Sequence, residues 1–264
     1  MKKRVNKRGN KRGQITIFII IAILVIAIVA LFFAFPKLRT TVGFEKPESP
    51  EKFIQTCLED TIKENVEIIS KQGGSMEPSP SVLYQDNKLQ YLCYSNEYYK
   101  PCIVQVPFLR EHIENEIKNS TQEDVKFCFD SLKKTYDDKG YSTSLKKNDI
   151  IVELLPQKIL TTINNEFTFS KADDTQRRET FRVVVNNNLY ELTAIAQNIM
   201  EWETKFGGAD CNSYMDLYKD LKCEKEPLTD DTTVYVLTDT DKEFKFQFAL
   251  RNYAIPPINR IQLK

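Results

Sequence analysis

Residues 15–35 form an apolar run of 21 positions in which Thr16 is the only polar side chain. At about 1.5 Å per residue a helix of that length measures roughly 30 Å, the thickness of a bilayer's hydrocarbon core. The pattern then becomes amphipathic. Phe53, Ile54, Cys57, Leu58, Ile62, Val66 and Ile69 recur every three or four residues, which predicts a helix entered at Ser49-Pro50 and stopped at Gly73-Gly74. Residues 82–84 and 89–94 flank Asp86-Asn87-Lys88 and predict a hairpin. A second helix is expected over 108–118. A third is expected over 121–136, entered through a Ser120-x-x-Glu123 capping box. Beyond Gly140 the period changes to two. Residues 150–155, 158–163, 167–169 and 178–185 predict strands of an antiparallel meander. Helical spacing returns over 189–204 (Leu192, Ile195, Ala196, Ile199, Trp202), followed by a short helix over 211–221. Strands over 233–238 and 244–250, joined by Asp239-Thr240-Asp241-Lys242, close the pattern. Helices segregated from strands predict an α+β class, with several helices packed on an antiparallel sheet and two subdomains over about 51–138 and 139–264.

Charge adds an orientation. Seven basic residues (Lys2, Lys3, Arg4, Lys7, Arg8, Lys11, Arg12) precede the apolar run, whereas only Lys37 and Arg39 follow it before Glu45. Positive flanks stay cytoplasmic, so a transmembrane helix over 14–36 would leave residues 37–264 outside the membrane. The run is longer than a secretory signal's apolar core, and Ala34-Phe35-Pro36 is not a small-x-small cleavage site. An anchor is therefore expected. Residues 37–50, with Pro47 and Pro50 after Pro36, read as a tether. Prolines at this point interrupt the continuous helix of bacterial-type pilins.

The junction Lys11-Arg12-Gly13-Gln14-Ile15-Thr16 resembles the class III signal of archaeal type IV pilins and archaellins. That resemblance implies cleavage between Gly13 and Gln14, removal of the basic tip (1–13), and self-association of the freed apolar helix in a filament. Phe18 stands where many pilins carry glutamate. Three further stretches are Cys57-Leu58-Glu59-Asp60 leading to Lys71-Gln72-Gly73-Gly74, Tyr235-Val236-Leu237-Thr238-Asp239, and Phe246-x-Phe248-Ala249. Together with residues 14–19 they resemble a family of single-span surface proteins of small-genome symbiotic archaea. The resemblance implies an exported protein and carries no catalytic residue.

The chain has 37 basic and 37 acidic residues. Setting aside the seven basic residues of the tip leaves 30 against 37, a body of about −7. Such a body is not expected to bind nucleic acid. All six cysteines (Cys57, Cys93, Cys102, Cys128, Cys211, Cys223) lie after the apolar run. Local spacing suggests Cys93–Cys102 and Cys211–Cys223, and helix faces suggest Cys57–Cys128. Buried free thiols are the alternative. Asn119-Ser120-Thr121 is the one N-glycosylation sequon, expected in a loop between two helices. His112, the only histidine, is expected on a solvated helix face. No metal-binding, phosphate-loop or nucleophile-elbow motif occurs. The two S-x-x-K matches at Ser131 and Ser144 lack their companion elements, and Asp230-Asp231 and Asp239-x-Asp241 read as turns. Neither a cofactor nor catalysis is expected. Tyr91, Tyr94, Tyr98 and Tyr99 crowd one cysteine-flanked region and could form a contact surface. The expected partners are the lipid bilayer, further copies of the chain, and envelope or other-cell proteins.

Overall fold

Ser49 caps the first helix as its sequence requires. Its hydroxyl accepts from the Lys52 N–H at 3.3 Å, and Pro50 occupies the first turn. The computed structural model describes residues 21–26, 47–147, 149–228 and 231–253. Residues 21–26 are helical. The rest of the expected span, the Gly13-Gln14 junction and positions 37–46 of the tether lie outside the described residues. Among those described, no helix is long and apolar enough to cross a membrane.

The described residues from Glu48 to Tyr253 form one compact unit of mixed α and β structure. Helix α1 (Pro50–Lys71) buries Ile54, Leu58, Ile62, Val66 and Ile69. It packs on α2 (Leu109–Asp138), whose buried stripe runs from Leu109 through Ile113, Ile117, Thr121, Val125, Phe129 and Leu132 to Tyr136. The helices run antiparallel: the Tyr136 hydroxyl at the end of α2 donates to the Glu48 carbonyl before α1 at 2.8 Å. One apolar core runs from Ile54 to Leu250.

The main sheet contains β1 (Ser81–Tyr84), β2 (Asn87–Tyr94), β12 (Phe244–Arg251), β11 (Thr232–Asp239) and β10 (Leu221–Pro227) in that order, with β3 (Ile103–Val104) also paired to β2. It is mixed rather than antiparallel throughout, because β12 pairs parallel with β2. Its central strands bury both faces. Tyr235, Leu237, Phe246 and Phe248 join the main core, while Val234, Val236, Ala249, Leu89 and Tyr91 pack on the other side.

The expected meander is two three-stranded antiparallel sheets. One is β4 (Ser142–Lys146), β7 (Glu166–Lys171) and β8 (Asp174–Arg178). The other is β5 (Ile150–Leu155), β6 (Lys158–Ile163) and β9 (Phe181–Asn186). Helices α3 (Leu189–Phe206) and α4 (Cys211–Leu217) complete the unit.

Three further expectations need correction. The helices expected over 108–118 and 121–136 are the single α2. Ser120 caps nothing; its hydroxyl and that of Thr121 donate back to the Ile117 carbonyl at 3.1 and 2.7 Å. Neither glycine nor proline interrupts the buried stripe there, so the helix continues. The β1–β2 loop is Gln85-Asp86, both at positive φ (45° and 66°), rather than residues 86–88. On α3, Trp202 is 48% exposed and Glu203 takes the buried position.

Candidate functional site

The residues of α2 beside its buried stripe are Glu111, His112, Asn115, Glu116, Asn119 and Ser120. They line one wall of a cleft of about 910 Å³. Spacings of one, four, five, eight and nine residues put them on one side of the helix. The opposite wall is the loop from Ser75 to Pro80, aimed by two glycines at positive φ. A Cβ on Gly73 (φ +80°) would come within 2.9 Å of the Gln90 Cβ. Residues 105–108 form the third side, where Phe108 is exposed.

Side chains fasten this loop. The buried Gln90 accepts from the Ser79 N–H at 2.7 Å and donates to the Ser79 carbonyl at 3.0 Å. Glu116 Oε2 accepts from the Met76 N–H at 2.8 Å. Ser75 Oγ, also buried, is hydrogen-bonded to His112 Nε2 at 2.8 Å. His112 is thus half-buried and bonded, not a solvated surface histidine. A serine within reach of an imidazole is half of a nucleophile arrangement, which also needs free donors for a developing oxyanion. Two backbone donors of this loop, Met76 and Ser79 N–H, are already engaged by Glu116 and Gln90. The Ser75–His112 pair braces the loop against α2.

The six cysteines form three disulfides, Cys57–Cys128, Cys93–Cys102 and Cys211–Cys223, which are the pairs that spacing and helix faces suggested. Asn119 is exposed, but it lies in the middle of α2 and not in an interhelical loop. Asp230 lies outside the described residues. Asp239 Oδ1 accepts from the Asp241 and Lys242 N–H groups, as a turn residue does. Among the described residues, no cluster of potential metal ligands occurs.

The tyrosine group divides. Tyr91 is buried and hydrogen-bonded to Thr232 Oγ1 at 2.8 Å. Tyr94 accepts from Arg251, which also donates to Tyr253 at 2.7 Å. Tyr98 and Tyr99 are 57% and 70% exposed on the loop closed by Cys93–Cys102.

Sequence reasoning missed Glu203. Its buried carboxylate accepts from the Tyr235 hydroxyl, from Lys225 Nζ at 2.9 Å and from the Ala209 N–H at 3.3 Å. Burial, then the Glu203 charge, pushes the Tyr235 hydroxyl well above the ordinary tyrosine range. A glutamate four residues after Ile199 on the apolar face of α3 was the available signal. No protein-family model, curated protein or solved structure matches this chain.

Proposed function

We propose that the protein is a membrane-anchored, non-catalytic cell-surface protein whose disulfide-stapled α+β domain contacts envelope components or proteins of another cell. One observation carries this reading: every cysteine is paired, in three bridges, within the unit that follows the apolar run. Such bridges persist in oxidising surroundings outside the cytosol. The 21-residue apolar run and its basic N-terminal flank supply the anchor and its orientation. The exposed Tyr98 and Tyr99, held on a stapled loop, supply rigid amphipathic contact area.

Protease treatment of intact cells, with intact mass after alkylation without reduction, tests this reading. Loss of the domain from whole cells and an absence of free thiols support it. Six alkylated cysteines on a cytosolic species overturn it. N-terminal sequencing separates the anchor from the filament subunit: retention of Met1 or Val5 favours the first, and a start at Gln14 favours the second. Substituting Tyr98 and Tyr99 together by serine should weaken cell-surface attachment while leaving thermal unfolding unchanged; unchanged attachment excludes them as the contact.

A further inference from the structure

A second cleft, of about 750 Å³, is built from four separated segments. Helix α1 contributes Lys63, Glu67, Ser70 and Lys71, and the β1–β2 loop and its exit contribute Gln85 and Asn87. Asn186 and Asn187 enter from the end of β9, and residues 242–245 with Gln247 enter from the β11–β12 hairpin. Its charge departs from the body around it: four lysines against Glu67 and Glu243, within a domain whose balance is negative.

Two of the lysines are matched locally, Lys63 to Glu59 at 2.7 Å and Lys71 to Glu67 at 2.5 Å. Lys242 meets an amide oxygen of Asn188 rather than a carboxylate. Lys245 has no carboxylate partner among the described residues. Two cations therefore remain for an anionic ligand.

The second observation is Gln247. It is 7% exposed, lines this cleft, and its Oε1 is enclosed without a hydrogen-bond partner. Buried polar groups are nearly always paired, so such an amide marks a place where a partner is missing. Its terminal torsion is broad and two-fold, so it can turn either atom toward a ligand. Five amides line the cleft (Gln85, Asn87, Asn186, Asn187, Gln247), with the half-buried Phe244 ring beside them. Gln85 donates to the Tyr84 hydroxyl, Asn87 donates to the Gln85 carbonyl and Asn187 accepts from the Leu189 N–H, which leaves each of these three one half of its amide for a ligand. Amides that donate and accept match sugar hydroxyls, an aromatic face suits a pyranose ring, and the lysines suit an acid group on it.

We propose that this cleft binds an acidic saccharide, a sugar chain bearing carboxylate or phosphate groups. A nucleic acid fits less well. The amides outnumber the unmatched cations, and Glu67 and Glu243 would face a continuous phosphate backbone.

Calorimetric titration of the full-length protein in detergent micelles tests the site, using oligogalacturonate, a phosphorylated mannan oligosaccharide, neutral galactose and mannose oligomers, and a single-stranded oligonucleotide. The two acidic saccharides distinguish a carboxylate from a phosphate source, and tight binding of either supports the site. Lys245→Gln and Gln247→Met should each weaken the acidic saccharide about tenfold, the scale of one charge-assisted or otherwise orphaned hydrogen bond. Neither substitution should lower stability, and Lys158→Gln, an exposed lysine outside the cleft, should bind as wild type. Equal affinity for neutral and acidic oligomers, tighter binding of the oligonucleotide, insensitivity to both cleft substitutions, or no binding at all would overturn the proposal. The titration reads binding directly and does not depend on where the protein resides.

Discussion

The two clefts differ in whether their buried polar groups are already bonded. In the first, Ser75 and Gln90 are buried and bonded, to His112 and to Ser79, and Glu116 holds the Met76 N–H. Its charged residues are Glu77, Glu111 and Glu116, with no lysine or arginine. In the second, Ser70 is bonded to the Glu67 carbonyl, but among the described residues the enclosed Gln247 Oε1 has no partner and Lys245 has no carboxylate. Volume alone would not separate the two. Hydrogen-bond satisfaction separates a wall that supports the fold from one with capacity left for a ligand. Substitutions should therefore cost stability in the first cleft and cost none in the second.

The largest effect should strike both clefts. Cys57–Cys128 joins α1, a wall of the second cleft, to α2, a wall of the first, across 71 residues of sequence. Cross-link stabilisation grows with the logarithm of loop length, so replacing both cysteines by serine should cost about 4 kcal/mol. The same change at Cys93–Cys102, with a separation of 9, should cost about 2.5 kcal/mol. Urea unfolding monitored by circular dichroism checks the order; equal losses would mean that the denatured chain keeps α1 and α2 together.

Next is Gln90→Ala, a test of the first cleft alone. It removes both bonds to Ser79 and leaves a backbone donor and acceptor in a half-enclosed loop. A loss of about 3 kcal/mol is expected. A loss below about 1 kcal/mol would show that water replaces the amide and that the loop is not built on it.

Features legible in the sequence were those decided locally. The Ser49 cap, the Gly73-Gly74 stop and the β-branched, apolar run of Ile150 to Leu155 need only neighbours in the chain to be read. Cys57 and Cys128 could be paired because each lay on an apolar helix face. Around Asn119 the local signal misled: a capping-box pattern was overridden by Thr121 and Val125 continuing the buried stripe. Strand β8, Asp174-Thr175-Gln176-Arg177-Arg178, is almost wholly exposed and has no apolar alternation to detect. The clefts were illegible for another reason. Lys63, Gln85, Asn187 and Gln247 are brought together only by tertiary packing, and each is unremarkable within its own segment.

A smaller effect is expected from alkali. The Tyr84 hydroxyl donates to Glu226 and accepts from Gln85, which lines the second cleft. Burial first, then Glu226, pushes its pKa up to about 12. Burial first, then Glu51, pushes Tyr136 to about 12 as well. The folded state holds these protons more tightly than the unfolded chain, whose tyrosines titrate near 10. Their contribution is therefore complete below about pH 10 and is lost between about 10 and 12. The unfolding free energy should be flat with respect to these groups up to pH 10 and fall above it. Tyr84→Phe with Tyr136→Phe should flatten that fall; an unaltered slope would assign it to other groups.

The smallest effect on stability belongs to the second cleft. Gln247→Met keeps the length of the side chain while deleting an enclosed oxygen that has no partner. In a site built for the fold, loss of a buried amide costs stability, as at Gln90. Here the amide has no bond to lose, and burying its oxygen unpaired already opposes folding by about 1–3 kcal/mol. The variant should be as stable as wild type or more so, by up to about 1 kcal/mol, because methionine packs the same space without the desolvated oxygen. Urea unfolding beside Gln90→Ala gives the comparison in one experiment. A loss at Gln247 matching that at Gln90 would mean that its amide is bonded in solution, and the distinction between the two clefts would disappear.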